Sequence, residues 1–410
     1  MFKKDAVFNK SMMREVVLLF VAVGLIGFSM GFTENISTNF YKIIGMNTGN
    51  RALLEVPREI PGLIQALVIA ALSFLSLGRM GSVAMFVRAA GLLFVGLLTQ
   101  KFDATYITFA VIVSFGEHLF MPLRNSIGIT IANHGYEGRV LGMMDAVATV
   151  MTILASLPIL FWFNGTQIHD YRVFYVIASV VTLIAAVSLF LMRTHKGSET
   201  IARPKLIFRK KYILYYIISF ISGMRKQIYL VFAPWLLVYT FGQSVQSMTL
   251  LYIIGSASVF FVNPAVGHLI DKHGEKRLLV IGGVVSIAVY ITYTVLSTAD
   301  TASTLVAFVL FALTFVDRMT LSTLIGRDIF VKHTADSQEE IMPTLSLGVS
   351  MDHIASVTAP LLNMYIWTAL GPQWVFAIGA VIGIIYTGLC MLVPGKKPMQ
   401  SQELTAAGGQ

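Results

Sequence analysis

Apolar residues run through this chain in long blocks, and short polar breaks separate them. Twelve blocks qualify as helices that cross a bilayer: 16–37, 51–77, 83–99, 104–132, 139–163, 170–193, 212–240, 245–270, 277–297, 303–331, 339–366 and 372–394. A helix rises 1.5 Å per residue, so about 20 predominantly apolar residues span a hydrocarbon core of about 30 Å. The pattern predicts an all-α integral membrane protein with twelve transmembrane helices.

Composition agrees. Hydrophobic residues make up 56% of the 410 positions and charged ones 12%, with a mean hydropathy of +0.75. Soluble domains are typically about 25% charged. The formal charge of +9 would fit a nucleic-acid binder, but the cations sit where topology needs them. With the N-terminus inside, 19 Lys and Arg fall in inner loops and tails, among them Lys3, Lys4, Lys10 and Arg14, and the stretch "RTHKGSETIARPKLIFRKK". Four fall outside (Lys42, Arg51, Lys101, Arg172) and seven within spans. This asymmetry places both termini in the cytoplasm and leaves no basic domain for nucleic acid. The single cysteine, Cys390, excludes a disulfide framework and a thiol metal site. The first apolar run lacks a small-x-small cleavage site and reads as a retained helix.

The longest polar interruption, 194–211, divides the chain into residues 1–193 and 212–410, each with six spans. Local pairings in matching order point to a duplicated unit. "GFTENI" (31–36) aligns with "GMRKQI" (223–228), setting Glu34 opposite Lys226 and Asn35 opposite Gln227. Glu117 aligns with Asp317, with His134 and His333 following at nearly equal distances, and "MMDAVA" (143–148) aligns with "SMDHIA" (350–355). The loop "GHLIDKHGEKR" (267–277) follows the eighth span. Its Gly267, Asp271, Lys272, Gly274 and Lys276 resemble the signature loop of the major facilitator superfamily. The corresponding "FLSLGRMGSV" (74–83) keeps only Arg79 and Gly81, with Gly78 in place of the acid. The resemblance implies two pseudo-symmetric six-helix bundles, joined by a basic cytoplasmic linker, and a cytoplasmic latch in the C-terminal half. It also implies that the first, fourth, seventh and tenth helices line a central cavity.

Charges inside a bilayer cost about 2.5–3.5 kcal/mol each on insertion scales, and are kept where they face protein or water and have partners. Glu34, Glu117, Arg124, Arg225, Lys226, Asp317, Arg318 and Asp352 converge on one central layer, with His118 and His353 beside acids. Adjacent residues on a helix point about 100° apart. Lys226 is therefore expected to face the cavity, opposite Glu34, and Arg225 to pair sideways with an acid such as Asp352. Arg225, Lys226, Gln227, Arg124 and Asn35 are the expected substrate-binding set. Glu34, Glu117, Asp317, Asp352 and His353 form the expected proton-coupling or charge network; static ion pairing is the alternative reading. Glu55, Arg58 and Glu59, beside Pro57 and Pro61, are expected near the outer boundary as a gate. Arg88 is expected to snorkel from the inner face. "GLIGFSMG" (24–31) and "GAVIG" (379–383) are expected to serve close helix packing.

No phosphate-binding loop, zinc-protease motif, nucleophile elbow or Cys/His metal spacing is present, so no enzyme, cofactor or metal is expected. The expected function is proton-coupled secondary transport of a small anionic or zwitterionic solute by alternating access. The chain is expected to act as a monomer in a bacterial inner membrane, with small-molecule substrate, protons and lipid as its partners. A drug or organic-cation exporter is one alternative; a transporter-like sensor or assembly partner is another.

Overall fold

The computed structural model describes residues 7–8, 10–133, 136–193 and 208–395. Lys3, Lys4, His134, residues 194–207 of the basic linker and the tail after 395 lie outside the described residues. Every apolar block forms a helix: α1 (Met13–Ile43), α2 (Thr48–Ala71), α3 (Leu77–Leu98), α4 (Ala104–Ile131), α5 (Glu137–Trp162) and α6 (Ile168–Phe190). In the second half come α7 (213–240), α8 (Val245–His273), α9 (Glu275–Leu296), α10 (Thr304–Thr334), α11 (Gln338–Leu370) and α12 (Pro372–Met391). Among the described residues the only β pairing is an isolated bridge between Phe8 and Ala132.

Ten of these helices are long and apolar enough to cross a membrane on length and hydropathy alone. The other two, α2 and α7, carry the features that build the site. In α2 the charges Arg51, Glu55, Arg58 and Glu59 crowd the first three turns. In α7 the α-helical hydrogen bonding gives way to π turns at Ile228–Phe232 and Leu236–Thr240. Pro234 lies between them and has no N–H to donate, which explains why the regular ladder fails there.

The first six helices pack chiefly on one another, α1 against α5 and α6, and α3 against α4 and α6. The last six do the same, α9 against α12 and α10, and α7 against α11 and α12. Glycines permit the closest approaches. A Cβ on Gly27 would stand 2.8 Å from the Ala148 Cα, and one on Gly379 would stand 3.2 Å from the Tyr290 ring. Between the two groups, α2 meets α11 and α5 meets α8.

Hydrogen bonds close the cleft between the groups at the end that carries the α1–α2 and α7–α8 turns. Asn39 Nδ2 donates to the Gln243 carbonyl at 3.0 Å, Lys42 Nζ to the Val238 carbonyl at 3.0 Å, and Trp235 Nε1 to Thr48 Oγ1 at 2.9 Å. Gln246 donates to the Phe163 carbonyl at the same end. At the opposite end the charged contacts run within a group: Arg14 to the Leu191 carbonyl in one, and Arg209, Lys211 and Tyr212 to Glu340 in the other.

The loop expected to carry a latch is helical for most of its length. Gly267 sits within α8, with nothing within 4 Å of a Cβ placed there, so it makes no turn. Gly274 makes the turn, at a φ of +84° that favours glycine. Asp271 and Lys272 fall in the last turns of α8. Glu275 stands at the start of α9, where an acid suits the positive end of the dipole. It is buried, with His333 Nδ1 2.9 Å away, and this contact, like Lys276 on the first turn of α9, lies inside the C-terminal half.

Candidate transport site

A cavity of about 780 Å³ lies in the cleft. Its walls run from Ser37 and Tyr41, near the sealed end, to Asp328, two turns from the other end of α10, where the side chain is half exposed. Glu34 of α1 reaches across the cleft to accept a hydrogen bond from the Tyr252 hydroxyl of α8. Arg318 of α10 lies over the Tyr252 ring, 5.2 Å from its centroid, and donates from Nη2 to Ser256 Oγ at 3.1 Å. Gly255 makes that placement possible, since a Cβ there would stand 2.9 Å from Arg318 Cδ. A carboxylate and a guanidinium from opposite sides of the cleft thus share one tyrosine in one cavity. A second cavity of about 120 Å³ lies behind Glu34 and leads to Glu117, between Tyr41, Tyr106 and Tyr175.

Within the first group, Arg88 is fully buried. Its Nε donates to Glu117 Oε1 at 3.0 Å, and its Nη1 to Ser29 Oγ and Thr182 Oγ1, each at 2.8 Å. The snorkelling expectation fails because α3 begins at Leu77, not 83, which sets Arg88 about 16 Å deep along its helix. Gly116 lets α3 and α4 meet there, because a Cβ on it would be 2.7 Å from the Arg88 Cβ.

In the second group neither of the two adjacent cations takes its expected place. Lys226 pairs with Asp352 of α11 instead of facing the cavity. Arg225 is fully buried inside the group. Its Nη1 donates to Ser286 Oγ at 2.5 Å, and its guanidinium lies 5.0 Å from the centre of the Tyr386 ring. Its link to Asp317 is indirect. The Tyr290 hydroxyl is 2.8 Å from Asp317 Oδ2 and 3.2 Å from the Arg225 carbonyl, and Thr320 Oγ1 is 3.2 Å from Asp317 Oδ1. Asp317 is therefore buried in the helix group, not displayed in the cavity.

Of the expected substrate-binding set, Gln227 and Asn35 line the cavity, whereas Arg225, Lys226 and Arg124 are not among its lining residues. Asn35 is committed to packing, donating to Ser156 Oγ at 2.7 Å. The Gln227 side-chain oxygen is buried without a partner among the described residues. Arg124 pairs with Asp145 at 2.5 Å between α4 and α5.

The expected outer gate moves inward. Because α2 ends at Ala71, Arg58 is about 15 Å from one helix end and about 20 Å from the other, near the middle of the helix. Glu55 is buried and bridges Arg51 and Arg58, the latter at 2.9 Å, so this triplet stays on one helix. Only Glu59 crosses the cleft, to His353 Nδ1 at 2.8 Å, and His118 lies beside that histidine, ring centroids 5.2 Å apart and planes tilted by 58°. The sequence has no metal-ligand spacing, yet the fold gathers these three side chains. Tyr252, Ser256 and Asn263 also escaped the sequence reading, since uncharged polar residues on an apolar helix give no depth signal. Arg318 was placed in the central layer but not in the site.

The sequence model of the Major Facilitator Superfamily matches residues 23–335. The chain belongs to that superfamily. This major facilitator is a multi-pass integral membrane transporter and not an enzyme. The nucleoside transporter NupG has a similar fold, with TM-score 0.70 and 14% identity over 95% of this chain and 100% of that one. A bacterial homolog of the human lysosomal transporter Spinster, in an inward-facing and unoccupied conformation, gives 0.71 and 13% over 94% and 97%. A D-xylose–proton symporter gives 0.69 and 13% over 94% and 98%. None of the curated proteins matches the sequence.

Proposed function

We propose that this major facilitator moves a small zwitterionic or anionic solute by alternating access, coupled to protons. The observation that carries the reading is Glu34 and Arg318 meeting across the cleft at Tyr252. An opposed carboxylate and guanidinium suit the ammonium and carboxylate of a zwitterion, and a guanidinium alone suits an anion. The binding set is therefore revised to Arg318, Glu34, Tyr252 and Gln227. The cross-cleft bond from Tyr252 to Glu34 would break when solute engages either partner, which couples binding to movement of the two helix groups as bodies, residues 1–193 against 212–410. Glu34 and Glu117 are the proton carriers, because the small cavity joins them; Asp317 and Asp352 hold helices together. With both termini cytoplasmic, the cavity opens inward and the sealed end faces out, in a monomer suited to a bacterial inner membrane. The D-xylose–proton symporter offers a precedent for proton coupling on this fold.

Thermal unfolding in detergent against pools of zwitterionic, anionic and cationic metabolites tests this. A ligand at 100 times its Kd adds about 2.7 kcal/mol. A zwitterionic or anionic pool should raise the midpoint, Arg318→Met should abolish the rise, and Lys226→Met should leave it. A rise with the cationic pool alone, lost in Glu34→Gln and kept in Arg318→Met, would make the protein an organic-cation exporter. No rise with any pool would favour the transporter-like sensor.

A further inference from the structure

Glu59 of α2, His118 of α4 and His353 of α11 come from three helices and from both sides of the cleft. Taking one ligand atom from each, the three lie within 4.8 Å of one another. The hydrogen bonds fix which ring nitrogens are available. His118 Nδ1 lies 2.9 Å from the Ser114 carbonyl, which can only accept, so Nδ1 carries the proton and the Nε2 lone pair is left for a ligand role. His353 Nδ1 lies 2.8 Å from a Glu59 carboxylate oxygen, so an ion would replace the proton these two groups share and bind between that nitrogen and the carboxylate. Both side chains of that pair are largely withdrawn from solvent, at 13% and 16% exposure. A second feature is built around the two rings. A Cβ on Gly62 would stand 2.5 Å from His353 Cε1 and 2.8 Å from His118 Cδ2. Any side chain at that position would push the imidazoles away from each other.

Two imidazoles and a carboxylate, with a backbone carbonyl orienting one imidazole from behind, form a donor set for first-row divalent transition metals; Ca²⁺ and Mg²⁺ prefer oxygen alone. Tetrahedral zinc, with bonds of about 2.0–2.1 Å, needs ligand atoms about 3.3 Å apart. The present spread must close by about 1.5 Å, within reach of rotation about the side-chain torsions. We propose that Glu59, His118 and His353 form a binding site for a divalent transition-metal ion of the zinc class, and that the ion clamps α2 and α4 to α11. Only Glu59 of the three lines the solute cavity, so the ion acts as a brake on the cleft and not as cargo. Metal binding at these three side chains is independent of the identity of the solute.

The test uses the full chain in detergent, purified without a polyhistidine tag and stripped with chelator. Titration with Co²⁺ should show one ion per chain, with visible d–d bands that Zn²⁺ displaces. Zn²⁺ should raise the melting midpoint. His118→Gln, His353→Gln and Glu59→Gln should each weaken Co²⁺ binding by at least about 10-fold and remove the Zn²⁺ shift, and Ser114→Ala, which keeps the carbonyl that orients His118, should leave it nearly unchanged. Metal-free melting curves show whether each variant folds; where one does not, the conclusion is read from the others. Absence of Co²⁺ bands in the wild type overturns the proposal. So does unchanged binding in His118→Gln/His353→Gln, which would place the ion at Glu275 and His333 or on His268 and His273. Zinc uptake into proteoliposomes that requires the three residues would overturn the clamp and make the ion a substrate.

Discussion

Each half of the molecule buries an arginine completely, and the two halves satisfy it differently. Arg88 meets its acid head-on, with Glu117 at 3.0 Å and two hydroxyls on Nη1, and only its Nη2 has no partner among the described residues. The Arg225 guanidinium reaches Asp317 only through Ser286 and Thr320, while Tyr290 ties the carboxylate to the Arg225 main-chain carbonyl. The Nε and Nη2 of Arg225 have no partner among the described residues. The acids occupy corresponding places on α4 and α10, but the cations come from α3 in one half and α7 in the other. The two halves hold charges at matching depths and neutralise them by different routes. A direct pair makes stability depend on a single partner. A relay spreads the dependence over neutral side chains, each contributing less.

The largest expected effect breaks the direct pair. Arg88→Met should lower unfolding stability by about 3–5 kcal/mol, the usual loss when one member of a buried pair is removed. Adding Glu117→Gln should recover part of it, as read from denaturation midpoints in detergent. A smaller loss is expected from Tyr290→Phe, about 1.5–3 kcal/mol for a hydrogen bond to a charged acceptor. A Tyr290→Phe loss equal to that of Arg88→Met would erase the distinction between pair and relay. Lys226→Met with Asp352→Asn should cost only about 1 kcal/mol, since both side chains are partly exposed. The mildest effect concerns the linker end. Hydrogen bonds from Lys211 and Tyr212 pull Glu340 from its ordinary value near 4.5 down to about 2. A depressed carboxylate stabilises the folded state above its unfolded value, and that contribution fades as pH falls from about 4.5 to about 2. Glu340→Gln should therefore flatten the midpoint's pH dependence across that window and leave its slope above about pH 5 unchanged.

The helices themselves were legible, because apolar length is written into each block and the observed bounds fall within a few residues of most blocks. The layer of central charges was legible for the same reason: depth follows from counting along a helix. Partners were not, because they depend on rotation about each helix axis and on where each helix starts. Six residues of difference at the start of α3 turned a snorkelling Arg88 into a buried one, and a similar difference at the end of α2 moved Arg58 from the rim to the centre. The π turns around Pro234 each insert a residue, which shifts the angular phase of the rest of α7. Lys226 and Arg225 precede those turns, and their misplacement came from assuming that aligned positions in the two halves face the same way. Glu59, His118 and His353 are too far apart in the chain for any spacing rule to join them.

The bonds that seal the cleft have an unusual tolerance built in. Asn39, Lys42 and Gln246 donate to main-chain oxygens of Gln243, Val238 and Phe163. Every amino acid supplies such an oxygen. Trp235 and Thr48 are the exception, bonded side chain to side chain. In the other three contacts the receiving side chain takes no part in the bond, so Gln243 is free to drift, while Val238 and Phe163 are held by their burial. A saturation library should show this as one-sided constraint, strict at 39, 42 and 246 and lax at 243. In these three contacts closure is inherited through the donor side chain alone.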